Sequence, residues 1–302
     1  MADEIVVKEQ CHGKARVRVA RVWRGDGKDH EFVEWTISII LSSDCIPAYS
    51  AGDNSSIVAT DSIKNTVYAL AKLCHQPVSI ETFGIKLASH FLDTYKEVTG
   101  ACVSLVQNNW ERVSIDGIPH QHGFKLGSQK RTAEITISRD KSSVDVVSGF
   151  TDLSLLKTTK SGFEGFIRDK FTLLPEVRER LLASTVTAKW RYARKPSCYT
   201  GTYDKVTRTL FETFFGPSKS GVYSPSVQNT LYLMAQEVLR RFDVPEVSSI
   251  ELNMPNLHFL PVNMPTVGVK VLFFDHDVYL PTSEPHGSIQ ACLARKTLTS
   301  KL

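Results

Sequence analysis

Residues 15–24, ARVRVARVWR, begin by alternating charged and apolar positions, with Arg16 and Arg18 on one face and Val17 and Val19 on the other, the pattern of a half-buried strand. After Ala20 the phase slips, because Arg21 falls on the valine side, and a β-bulge near Ala20 would restore it. A turn at Gly25-Asp26-Gly27-Lys28 leads to a second strand over 31–42, predicting an antiparallel hairpin. Two helices follow. Over 61–75, Ile63, Val67, Leu70 and Cys74 recur at helical spacing behind Thr60 and Asp61, which stand where N-caps belong. Beyond Pro77, Phe83, Leu87, Phe91 and Tyr95 lie four apart and predict a helix over 80–98. Strands are expected near 101–113 and 131–139.

The second half repeats the order. Extended segments near 142–150 and 185–196 precede helices near 203–215 and 224–242, then strands near 247–260 and 267–275. An insertion over about 150–184 is rich in Lys and Arg. Strand pair, helix pair, strand pair occurs twice, which predicts units over 1–140 and 141–302. Helices grouped after hairpins imply an α+β protein with antiparallel sheets, not a doubly wound nucleotide fold.

Composition adds few constraints. Across 302 residues, 36 Lys plus Arg stand against 32 Asp plus Glu, a net charge of +4. The basic residues are dispersed, so nucleic acid is not expected as a partner and a small acidic ligand explains the balance as well. The apolar runs fall short of the roughly 20 residues a membrane span needs. Six scattered cysteines form no C-x-x-C motif and, with the charged start MADEIVVKEQ, fit a reducing interior compartment. The final Ser300-Lys301-Leu302 reads as a peroxisomal import address.

Dinucleotide, P-loop and α/β-hydrolase glycine motifs are missing. Ser154-Leu155-Leu156-Lys157 fits S-x-x-K without its partner motifs and reads as coincidence. His120 and His122, in PHQHGF, are open to three readings: hydrogen bonding within a loop, a metal pair, or support for a nearby site. Thr60 and Asp61 read as a helix cap, or as the approach to free backbone N–H groups that bind an anion or a carbonyl. In SPSVQNTLY, Ser224 or Ser226 is the N-cap, with Val227 and Gln228 in the first turn. A Gln amide complements an adjacent N–H and C=O such as a purine presents, although by itself the residue reads first as a surface glutamine. Asn256 and His258 share one side of a predicted strand, with Phe259 on the other. Lys14, Phe163 and Arg180 are unremarkable singly.

Together, VATDSIKNT at 58–66, GFEGFIRD at 162–169, SVQNTLY at 226–232, LNMPNLHF at 252–259 and the terminal S-K-L resemble the urate oxidase (uricase) family, in the family's order and across the whole chain. The resemblance implies two tandem tunnelling-fold (T-fold) units with helices on one side of each antiparallel sheet. It also implies a homotetramer whose paired chains close into barrels around a tunnel, leaving the Arg16 and Arg18 face either on the tunnel wall or in solvent. The implied reaction is oxidation of urate by O2 and water to 5-hydroxyisourate and hydrogen peroxide, with no metal, flavin or haem.

By the same resemblance Arg180 and Gln228 grip the pyrimidine side of urate, the Val227 amide adds a donor and Phe163 stacks on the ring. Thr60 and Asp61 meet the five-membered ring from a neighbouring subunit, and Asn256 holds O2 and later water above it. Lys14, Thr60 and His258 form the implied proton relay. A pterin or purine enzyme of the same fold, such as a cyclohydrolase or aldolase, is the alternative. Those relatives use a carboxylate where this chain has Gln228.

Overall fold

The computed structural model describes residues 5–25, 29–140, 144–241, 245–267, 270–272 and 274–296. Positions 26–28 of the predicted turn, 142–143 at the start of one predicted strand, 242 at the end of one predicted helix, parts of 267–275 and Ser300-Lys301-Leu302 therefore lie outside the described residues.

The chain divides into two compact units, one holding the described residues up to Phe150 together with Arg191–Tyr203, the other Thr151–Trp190 with the residues from Asp204 onward. In the first, β1 (His12–Trp23), β2 (Glu31–Ser43), α1 (Ile46–Ser50), α2 (Thr60–Lys72), α3 (Ile80–Thr94), β3 (Val98–Ile115) and β4 (Ile118–Ser138) run in sequence. The four strands form an antiparallel sheet in chain order. Alternate residues of β2, Trp35, Ile37, Ile39 and Leu41, have no solvent exposure, and neither do Phe83, Leu87 and Phe91 of α3, which close over that face. The Trp35 and Phe83 rings stack at 4.5 Å.

Two predicted features of the hairpin are corrected. Pairing with β2 is continuous from Val17 to Trp23, so there is no bulge near Ala20; the irregularity lies between Lys14 and Val17. Arg21 stays on the inner side because its guanidinium reaches the Cys74 carbonyl at 3.3 Å and lies 5.4 Å from the centre of the Trp23 ring. The PHQHGF segment is strand, not loop. β3 and β4 form a long hairpin through Asp116-Gly117, both at positive φ as a tight two-residue turn requires. The 80–98 helix ends at Thr94, with Tyr95 as an extended C-cap stacked on Phe91.

β5 (Val144–Lys157) and β6 (Leu182–Tyr192) carry the chain into the second unit. There α4 (Tyr199–Phe215), α5 (Val227–Arg240), β7 (Val247–Asn253), β8 (Asn256–Pro261), β9 (Met264–Val267), β10 (Lys270–Leu272), β11 (Tyr279–Thr282) and β12 (Gln290–Ala294) follow. The sheet order is β5-β6-β7-β12; β8 pairs with the start of β6 and β11 pairs with β8. The strand predicted over 247–260 breaks at Met254-Pro255, since proline cannot donate to a ladder. α5 packs on β7 and β12.

Glu34 on β2 accepts hydrogen bonds from Arg18 at 2.7 Å and from the Trp110 indole at 2.9 Å. Arg18 foremost, then Trp110 and Asn108, lower its carboxyl pKa to about 2. A depressed carboxyl pKa stabilises the fold above the ordinary value of 4.5, and that contribution is lost as pH falls toward about 2. Melting temperature should therefore fall more steeply on acidification across this window in the parent than in Glu34→Gln, and parallel curves would contradict the assignment.

Candidate functional site

In the second unit a short lattice of backbone bonds brings Phe163, Arg180 and the start of α5 together. The Phe163 N–H donates to Val177 O at 2.7 Å and the Arg180 N–H to Ser161 O at 2.9 Å, while the Gly162 N–H donates to Ser224 O at 3.0 Å. A side chain at Gly162 would collide with the Tyr223 hydroxyl and the Val177 carbonyl, so this approach requires glycine. Phe163 stacks flat on Phe166, centroids 4.8 Å apart, and the Arg180 guanidinium carbon lies 5.4 Å from the Phe163 ring.

Arg180 is half-buried, and its Nε is buried with no hydrogen-bond partner. Burial pulls its pKa below the usual value, the nearby Tyr223 opposing. A half-buried cation with an unused donor beside a flat aromatic surface suits a planar acceptor or anion.

Ser226, not Ser224, caps α5, accepting from the Asn229 N–H at 3.0 Å. Val227 and Gln228 occupy its first two positions, where backbone N–H groups have no intrahelical acceptor, and the Gln228 side chain is exposed. Asn256 and His258 are both half-buried on β8, opposite Ser184 of β6 and Thr282 of β11 respectively. His258 fronts a pocket of about 260 Å3 that Phe259, Pro281 and Thr282 also line.

Lys14, Thr60 and Asp61 gather in the first unit. Lys14 pairs with Ile39 and Val17 with Ile37, so the first strand spends one more residue than its partner between these pairs, and Arg16 takes φ 59 to absorb it. Residues directly opposite across a ladder share a face. The bulge thus turns Lys14 onto the buried, helix-side face of Ile37 and Ile39 and away from the Arg18 face. His12, two residues earlier, is hydrogen-bond partner to the Val58 carbonyl at 3.0 Å, tying β1 to the lead-in of α2.

Neither Thr60 nor Asp61 is an N-cap. Both lie inside α2, whose capping position is Ala59 with no side-chain cap, and 57–59 is not strand. The Asp61 carboxylate instead accepts from Lys64 at 2.6 Å and Asn65 at 2.8 Å, which hold its pKa down; Lys64 contributes most and Lys14 adds a weaker attraction. α2 therefore begins with amides that no side chain covers, whereas α5 is capped.

His120 and His122 stand on β4 with their rings edge-on at 4.6 Å, and the His122 N–H donates to His120 Nδ1 at 3.2 Å. Among the described residues no three His, Cys, Asp or Glu side chains gather as a metal site requires. The sequence does not reveal the joining role of Gly162, Ser161, Ser224 and Tyr223. Gly162 opens the GFEGFIRD run, but nothing in its spacing announces a partner more than sixty residues away.

The family model described as Uricase matches residues 10–136 and 146–290. The chain belongs to the uricase family. Uricase-2 isozyme 2 of Glycine max is 54% identical over 100% of both chains, and Uricase of Arabidopsis thaliana is 53% identical over 97% of each. The crystal structure of uricase from Arthrobacter globiformis superposes with a TM-score of 0.86 at 33% identity, covering 97% of this chain and 96% of that one. The fold is accordingly the α+β tandem T-fold of the uricases.

Proposed function

We propose that the chain oxidises urate with O2 and water to 5-hydroxyisourate and hydrogen peroxide, in a site that needs no metal, flavin or haem. The observation that carries the reading is the Phe163–Arg180 pair joined by backbone hydrogen bonds to the start of α5. Triplet O2 reacts slowly with closed-shell molecules, so an unaided oxidase needs a substrate that donates single electrons readily. Deprotonated urate is such a donor. The protein must hold a flat anion, remove its proton and place O2 and then water over one face.

Phe163 supplies the stacking surface. Arg180 offers a planar fork and fixed charge, Gln228 matches an N–H and C=O edge, and the Val227 amide adds a donor. Thr60 and Asp61 meet the five-membered ring through the uncapped start of α2, supplied by a neighbouring chain of a homotetramer. Lys14, reaching the substrate through the Thr60 hydroxyl with His258 as third member, moves the proton. Asn256 holds O2 and later the attacking water. The alternative pterin chemistry would require a carboxylate at Gln228, since a guanine-like edge presents donors.

Loss of the near-ultraviolet urate band under air, but not anaerobically, is the expected result. Persistence of the band under air would defeat the reading. Arg180→Ala should raise KM for urate by roughly tenfold or more with kcat less affected, as loss of a charge-assisted contact does; an unchanged KM would remove Arg180 from the site. The protein acts in the peroxisome, brought there by an import receptor that reads Ser300-Lys301-Leu302. Deleting Leu302 should leave a fluorescently tagged chain in the cytosol, and continued import would refute the address.

A further inference from the structure

Lys157, the last residue of β5, is a buried cation with no part in the chemistry above. It is 8% exposed. Its ammonium donates to Val222 O at 3.0 Å and Ser224 Oγ at 2.7 Å and stands 5.1 Å from the Phe214 ring. Burial lowers its pKa, and among the described residues no charged neighbour opposes the shift. A buried cation facing only neutral oxygens is costly, so its place is explained by what it holds rather than by stability.

Ser154, its partner in the S-x-x-K pattern, is not in contact with it and stands 3.4 Å from Thr185 Oγ1. The Lys157–Ser224 distance would suit a Ser–Lys nucleophile pair, but Ser224 is 2% exposed and no substrate carbonyl can reach it. What Ser224 does reach is the binding wall. Its N–H donates to Lys160 O at 2.8 Å and its carbonyl accepts from Gly162, one residue before Phe163. Two residues later Ser226 opens α5. The Ser226 cap fixes the helix to itself, whereas Ser224 fixes the helix to the wall.

We propose that Lys157 is a positioning residue for the purine: by pinning Val222 and Ser224 it sets the spacing between the Phe163–Arg180 wall and the first turn of α5 carrying Val227 and Gln228. A flat ligand that must stack on one element and hydrogen-bond to another tolerates little error in that spacing, and a shift of about 1 Å is enough to lose much of the gain from orientation. The inference rests on the urate reading.

The test compares Lys157→Met and Ser224→Ala with the parent, measuring urate kinetics and equilibrium binding of xanthine, a probe with a similar pyrimidine edge. KM for urate and Kd for xanthine should rise about tenfold, with kcat within about threefold. Combined with Gln228→Ala, the Lys157→Met loss should not multiply, because both act through the same contact. Unchanged KM and Kd, a fall in kcat alone, or multiplying losses would overturn the proposal. Should Lys157→Met fail to fold, Ser224→Ala, which deletes one oxygen, decides on the same readings. A parent protein that leaves urate untouched defeats the functional reading itself; an active parent with indifferent variants defeats only the positioning role.

Discussion

Replacing Lys14 by Met should lower kcat for urate by about two to four orders of magnitude, the usual worth of a positioned acid or base, with a modest change in KM. Methionine keeps the length and most of the volume of the side chain and removes the amine to which the proposed relay assigns the proton. The backbone around Lys14 is specified by its bulge and by the contact of His12 with Val58, so the substitution leaves the support standing. Thr60→Ala should produce a loss of the same order if Lys14 works through that hydroxyl, and the double variant should be no worse than the weaker single one, since a broken relay cannot be broken twice. Steady-state assays at saturating urate check this. Full turnover in either single variant would reject the relay.

Glu81→Ala should remove about 3–5 kcal/mol of stability, measured by urea unfolding, because it strands a buried guanidinium. Glu81, in the first turn of α3, has no solvent exposure, and both its carboxylate oxygens accept from Arg131 Nη2, at 2.9 and 2.8 Å. Ser148 donates to the same carboxylate at 2.7 Å and accepts in turn from the Tyr192 hydroxyl at 2.8 Å, while Tyr203 covers the guanidinium at 4.4 Å. Burial foremost, and the Glu81 charge after it, raise the pKa of nearby Tyr199. Removing both charges as Glu81→Ala with Arg131→Met should cost less than Glu81→Ala alone, since nothing charged is then left unpaired. A single variant with parental stability would show that solvent reaches this network.

What the sequence discloses is set by how locally each feature is determined. The buried face of β2 and the four-residue spacing on α3 are visible because one sheet and one helix face suffice to write them, and Trp35, Ile37, Phe83 and Leu87 are all fully buried. The stretch 118–130 carries glycines and polar residues that resemble a loop, yet it is strand because β3 pairs along it. Arg21 follows the unbroken alternation onto the inner side, where its charge looks out of place, because a carbonyl more than fifty residues away captures its guanidinium. Asp61 stands where a cap is expected, but Lys64 and Asn65, one helical turn later, compete for its carboxylate and win.

The same distinction governs the candidate site. Gln228 and Val227 could be placed at a helix start from spacing, as could Asn256 and His258 on one strand. That Phe163 and Arg180 face each other, and that Ser224 joins them to α5, depends on pairings between distant segments that spacing does not record. For Phe163, Arg180 and the start of α5, the backbone hydrogen bonds supply the reason that they lie together.

The extra residue between Lys14 and Val17 acts as a phase shifter for everything N-terminal to it. A strand of the same length without the bulge would pair Lys14 with the exposed Ile40 in place of Ile39, and its lysine would swing to the opposite surface, among the arginines and away from the helix that starts at Thr60. Ironing out the bulge at full length would tidy the sheet and turn Lys14 away from α2, so an apparent irregularity of pairing decides which side of the sheet that lysine serves.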